Sequence, residues 1–219
     1  MTLINMKDAK DELVRFLRNQ DVLTIEQRGI ITSEDTGTFS ADSSYLIDNS
    51  QVKNIRSIVV DAVTLTHGTD YTYNTEYDDS GTKKCKITFT SAQTGDYTIN
   101  FDYGPDSIFP DYSRTDLDIS SYPRIEVEQI SKTTNAFGVG GSDVISDTVY
   151  TVIVVAATSK QVENILADIE GKFIQNQTGF YYHNVIHPVG MGPIKPKDNA
   201  KAQVYQRNLD VRSRLNVES

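Results

Sequence analysis

His183 and His187 stand four residues apart, the spacing at which two imidazoles on one helical turn can share a zinc ion. Residues 181–187 read as strand instead, and no Glu stands between the histidines in the form a helical zinc protease needs. On a strand both would share a face with Tyr181. The pair is therefore read as two surface histidines, and a metal site completed by a partner subunit is the alternative. His67 begins a turn and stands alone. Cys85 alternates with Ile87 and Phe89, which makes it a small buried hydrophobe rather than a nucleophile. Carboxylates cluster at Glu76, Asp78 and Asp79 and again at Glu126 and Glu128, but acid–base chemistry needs one member held in its neutral form by burial. Nothing in their surroundings dictates that. Residues 77–81 are too short for a calcium loop, and no Gly-x-Ser-x-Gly elbow is present. The glycines at 138–141, after Phe137, lack the Gly-Lys-Ser/Thr ending of a phosphate loop and lead into a strand. No nucleophile, base and orienter come together, so the expectation is a protein without catalysis, cofactor or metal.

Charge narrows the partners. The net charge of −9 repels nucleic acid, whose binding needs clustered Lys and Arg. The acidity is local: residues 25–115 hold 14 acidic against 7 basic side chains. Residues 195–215 reverse the sign, with Lys195, Lys197, Lys201, Arg207, Arg212 and Arg214 against Asp198 and Asp210. No run is long enough to span a membrane and the N-terminus lacks the pattern of a signal peptide, so the expectation is a soluble protein used without export.

The elements that must position these residues follow from periodicity. Residues 5–20 form an amphipathic helix, with Asn5 as its cap and an apolar stripe of Met6, Ala9, Leu13, Phe16 and Leu17. From 24 to about 110 the chain turns to short β runs, with strands expected at 52–61, 63–66, 71–77, 82–90 and 97–103 and a turn at 92–96. These suggest a small sandwich. Tyr45, Tyr71, Tyr73, Tyr77, Tyr97 and Tyr103 lie there, and tyrosines exposed on a sandwich can stack on sugars or partner proteins.

Residues 122–131 then read as a half-buried strand, 148–157 as a central strand apolar on both faces, and 159–173 as a helix opened by a capping box of Thr158 and Gln161. Strands at 180–187 and 204–215 close the chain. The glycine-rich connection 132–147 and the Pro- and Gly-rich stretch 188–203 are overlong, and both are expected to project as arms from the same end of the sheet.

The Tyr-Pro-Arg-Ile-Glu-Val-Glu run at 122–128 and the Val-Tyr-Thr-Val-Ile-Val-Val strand with its following helix resemble tail-terminator (tail-completion) proteins of long-tailed bacteriophages and archaeal tailed viruses. The resemblance covers residues 5–20 and about 120–215. Separately, the stretches 65–71 and 86–97 are similar to small β modules of virion proteins, an insertion that departs from the minimal terminator pattern. The resemblance implies an α+β core (1–24 and 116–219: helix, two strands, helix, two strands, in a mostly antiparallel sheet) with an inserted β-sandwich-like module (25–115). It further implies a virion protein, assembled in the host cytoplasm, that forms a homohexameric ring at the tail–neck junction. Its partners would be copies of itself, the major tail tube protein and the head-closure or neck connector, with viral DNA passing through without sequence-specific binding and no membrane.

On that reading Glu126 and Glu128, placed on the wet strand face by alternation, are the lumen candidates. Phe137, Val139, Met191 and Ile194 are the candidates for the interface arms. The alternatives are another neck or baseplate protein, or a module binding carbohydrate or a host surface.

Overall fold

The computed structural model describes residues 6–110, 123–137, 143–199 and 202–215. In chain order the elements are α1 (Met6–Asn19), α2 (Ile25–Arg28), β1 (Ile31–Ser50), β2 (Val52–Val60), β3 (Val63–Thr64), β4 (Tyr71–Asp79), β5 (Thr82–Tyr103), β6 (Ile108–Phe109), β7 (Arg124–Phe137), β8 (Asp143–Ala156), α3 (Ser159–Gln175), β9 (His183–Met191), β10 (Lys195–Asn199) and β11 (Ala202–Leu215). They fall into two compact units, one of Met1–Arg28 with Ser107–Ser219 and one of Gly29–Asp106.

The described residues are mostly β, 62% strand against 18% helix, with two multi-stranded sheets. This overturns the expected α+β architecture of helix, two strands, helix, two strands. The physical reason lies in the stretches taken for connections. Residues 31–50, which showed no clear run, form a long strand; 132–147 is mainly the outer half of the β7/β8 hairpin; and 188–199 pairs along β11. Polar, Ser/Thr-rich sequence carries little periodic signal, but its backbone still needs hydrogen-bond partners and finds them in a neighbouring strand.

In the second unit β1 and β5 run antiparallel for most of their length, and β5 alone spans what the sequence divides into two strands and a turn. Register shifts around Asp42 bend the pair. The first half of β5 pairs with β4 and the second half with β2, so one continuous sheet folds over on itself. Ile55, Ile58, Tyr71, Cys85, Ile87 and Phe101 share a single core between the halves. Gly37 faces Tyr97 across the ladder, and a Cβ there would come within 2.9 Å of the tyrosine ring, which stacks on Phe39 at 4.1 Å.

In the first unit the sheet order is β10-β11-β8-β7-β6, with β9 also on β11. β8 supplies the apolar middle strand that its sequence demands. Val152, Val154 and Tyr150 pack with Leu13, Leu17, Leu166, Ile169 and Phe173 of the helices, while Ile153 and Val155 meet Val204 in a separate cluster. Phe16 stacks on Phe173 at 5.3 Å and joins α1 to α3. α3 begins where its box marks it, with the Thr158 hydroxyl accepting from the Gln161 N–H at 3.2 Å. Asn5 and the residues before it lie outside the described residues.

β9, β10 and β11 form one long hairpin whose outer strand runs past Pro188 and Pro196. Edge position makes this possible, since an edge strand tolerates a missing N–H. A stretch expected to stay out of the sheet interior and project as an arm therefore runs along the sheet as its edge. The expected shared exit of the two arms also fails. β8 and β11 are antiparallel neighbours, and the β7/β8 tip lies at the start of β8 while the β10/β11 tip lies at the start of β11. The arms leave opposite ends of the sheet. Each carries three ladder pairs beyond the last β8–β11 pair, a reach of about 10 Å at ~3.3 Å per residue.

Candidate functional site

Ser, His and a carboxylate meet in the buried seam between α1, β9 and β11. A register shift in the β9–β11 pairing leaves Asn184 as an extra residue and turns His183 inward. His183 is fully buried, and its Nδ1 lies 2.5 Å from the Ser213 hydroxyl and its Nε2 2.8 Å from the Ala9 carbonyl. A carbonyl can only accept, so Nε2 carries the proton and Nδ1 accepts from Ser213. Glu12, on the same helix as Ala9, accepts the backbone N–H groups of Tyr181 at 2.5 Å and Tyr182 at 2.8 Å. Its carboxylate comes within 3.8 Å of His183 Nε2. Tyr150 meets the imidazole edge-on with ring centres 5.7 Å apart.

Burial sets the ionisation here. It drives the His183 pKa from 6.5 down to about 4, against the opposing pull of the Ala9 hydrogen bond. At neutral pH the imidazole is uncharged, so the 3.8 Å approach to Glu12 is not an ion pair. Burial raises the Glu12 carboxyl above its usual range, offset in part by the two backbone N–H groups and Arg15. The Tyr150 phenol is likewise pushed up, first by burial and then by the Glu12 charge.

The residue types are those of a hydrolase triad, but the wiring is not. A nucleophilic serine must reach substrate, and its base must be free to take the proton and pass it on. Ser213 and His183 are both fully buried, and the second imidazole nitrogen is committed to a main-chain carbonyl. The arrangement fastens the first helix to the last hairpin. Sequence reading pairs His183 with His187 instead and places both on the surface. His187 is exposed, but the extra residue at Asn184 puts it on the opposite face from His183, and the two cannot share a metal. No local signal marks this, because Glu12 and Ser213 lie far away in the chain.

The remaining candidates are structural where they are described. Cys85 is fully buried in the second unit, its thiol pushed up to about 12 by burial. Asp78 accepts the Gly81 N–H at 2.7 Å across a turn, and Asp79 pairs with Lys84 at 2.9 Å. His67 rests edge-on against Tyr71 and Tyr73. None of the six tyrosines named for stacking is exposed; Tyr45 donates to Asp35 at 2.7 Å and Tyr97 to Tyr45 at 2.9 Å. Among the described residues no group of three or more His, Cys, Asp or Glu could hold a metal ion, and no helix is long and apolar enough to cross a membrane.

Of the lumen candidates, Glu126 is fully buried and Glu128 half-buried. Glu126 forms an ion pair with Arg124, whose guanidinium lies 5.2 Å from the Phe109 ring centre. Alternation reports the side of the strand but not what covers it, and β6, paired beside β7, places Phe109 next to Glu126. Glu126 is therefore not on a wet face. Among the arm candidates, Phe137 is the last residue of β7, and Val139 lies outside the described residues. Met191 packs against the unit's own core, and Ile194 sits half-buried between β9 and β10. The projecting part of the second arm is instead, among the described residues, 197–199 paired with 202–204.

No protein-family model and no curated protein matches the chain.

Proposed function

We propose that the chain is a structural subunit of a tailed virus particle, forming a ring at the junction of tail tube and neck connector through which viral DNA passes. The observation that carries this reading is the pair of hairpin arms leaving opposite ends of one sheet. A subunit so built presents two different contacts, and unlike contacts between identical chains close into rings when the rotation permits. The sequence resemblance at 122–128 and 149–155 supplies the viral context. The reading includes neither catalysis nor a cofactor. Of the two lumen candidates, Glu128 is the one left with access to solvent.

Size-exclusion chromatography with light scattering tests the proposal. The expected result is an assembly of about six copies, alone or after addition of a tail tube protein. A chain that stays monomeric under both conditions overturns it. Of the tyrosines the carbohydrate-binding reading requires, Tyr71 and Tyr97 are buried in the second unit's core, Tyr45, Tyr73 and Tyr103 pack half-buried against it, and Tyr77 is half-buried.

A further inference from the structure

β1 pairs with β5 along one edge, and among the described residues its other edge pairs with no strand. Open edges recruit strands or are blunted with charge. Here the charge is of one sign: β1 carries Glu34, Asp35, Asp42 and Asp48 and neither Lys nor Arg. The unit around it, residues 29–106, holds twelve acidic against five basic side chains. Asp35 and Asp48 already have partners in Tyr45 and Lys84, while Glu34 stands exposed on the strand. A second copy of β1 would bring four more acidic side chains to this edge and is disfavoured by like charge.

The same chain carries the complement. In sequence, residues 195–207 hold four basic side chains against one acidic, and the described parts of this stretch, β10 and the start of β11, pair as the hairpin that runs past β8. We infer that the basic β10/β11 hairpin of one protomer docks on the acidic outer edge of β1 in the next. Pro196 has no N–H to give a ladder, so charge and not a continuous strand pairing holds the contact. The two surfaces differ, so the contact is heterologous and propagates from copy to copy. This deepens the ring reading and rests on it for closure.

The experiment is a charge swap in the full chain, read by sedimentation at low and high salt. Lys195→Glu with Lys197→Glu, or Glu34→Lys with Asp42→Lys, weakens self-association by about tenfold or more, and wild-type association falls as salt screens the contact. Combining the two swaps restores it. All these positions lie at strand edges, and circular dichroism confirms that each variant is folded. Rings that persist unchanged in both charge variants overturn the docking contact while leaving the ring standing. A wild-type chain that never associates at low salt, either alone or with a tail tube protein added, overturns both.

Discussion

His183 offers the most direct test of how the first unit is held together. The imidazole is sealed between Ser213 and the Ala9 carbonyl and stays neutral in the folded chain, with its pKa near 4, against 6.5 when exposed. Above pH 6.5 both states are neutral and the group contributes nothing to pH dependence. As pH falls below 6.5 the unfolded chain takes up a proton that the folded chain refuses, so stability drops until about pH 4. At roughly 1.4 kcal/mol per unit, the shift corresponds to about 3 kcal/mol, a large share of a typical domain's stability. Glu12 acts in the opposite sense, because its raised pKa favours the folded state at low pH and that gain fades as pH rises through its folded value.

Comparison with His183→Gln separates the two groups: the amide can still donate to Ala9 but does not titrate. Urea unfolding followed by circular dichroism, stepped from pH 7 to pH 4, should show wild type losing about 3 kcal/mol more than the variant. The first unit's transition can be assigned from the methyl NMR signals of Val152 and Leu209. Curves that run parallel through this window would refute the claim that His183 is held neutral in the core.

Three further outcomes are expected. Glu126→Gln should destabilise the first unit by about 3 kcal/mol in chemical denaturation, because it leaves the Arg124 charge buried. Replacing both partners by apolar residues of similar size should cost far less, since Nε and Nη1 of Arg124 meet no acceptor among the described residues even in the native pair. Gly37→Ala should lower second-unit stability by about 1–3 kcal/mol in thermal unfolding, because the new methyl meets the Tyr97 ring, which Phe39 and the Tyr45 hydroxyl hold in place. An unchanged melting temperature would show that the ring moves freely.

Some of this molecule is written in short stretches of its sequence. The apolar spacing of Leu13 and Leu17, the Thr158 cap, the Val-rich run of β8 and the alternation of Cys85, Ile87 and Phe89 each specify an element and its buried side, because neighbours within a few residues determine them. Tertiary structure decided the rest. An extra residue at Asn184 reverses the facing of His187 relative to His183, and the neighbouring strand β6 sets Phe109 beside Glu126 and its partner Arg124. The opposite exits of the two arms follow from β11 lying between β8 and β9. Pairing between distant strands is paid in loop entropy and settled by the whole core at once, so no local window of sequence carries it.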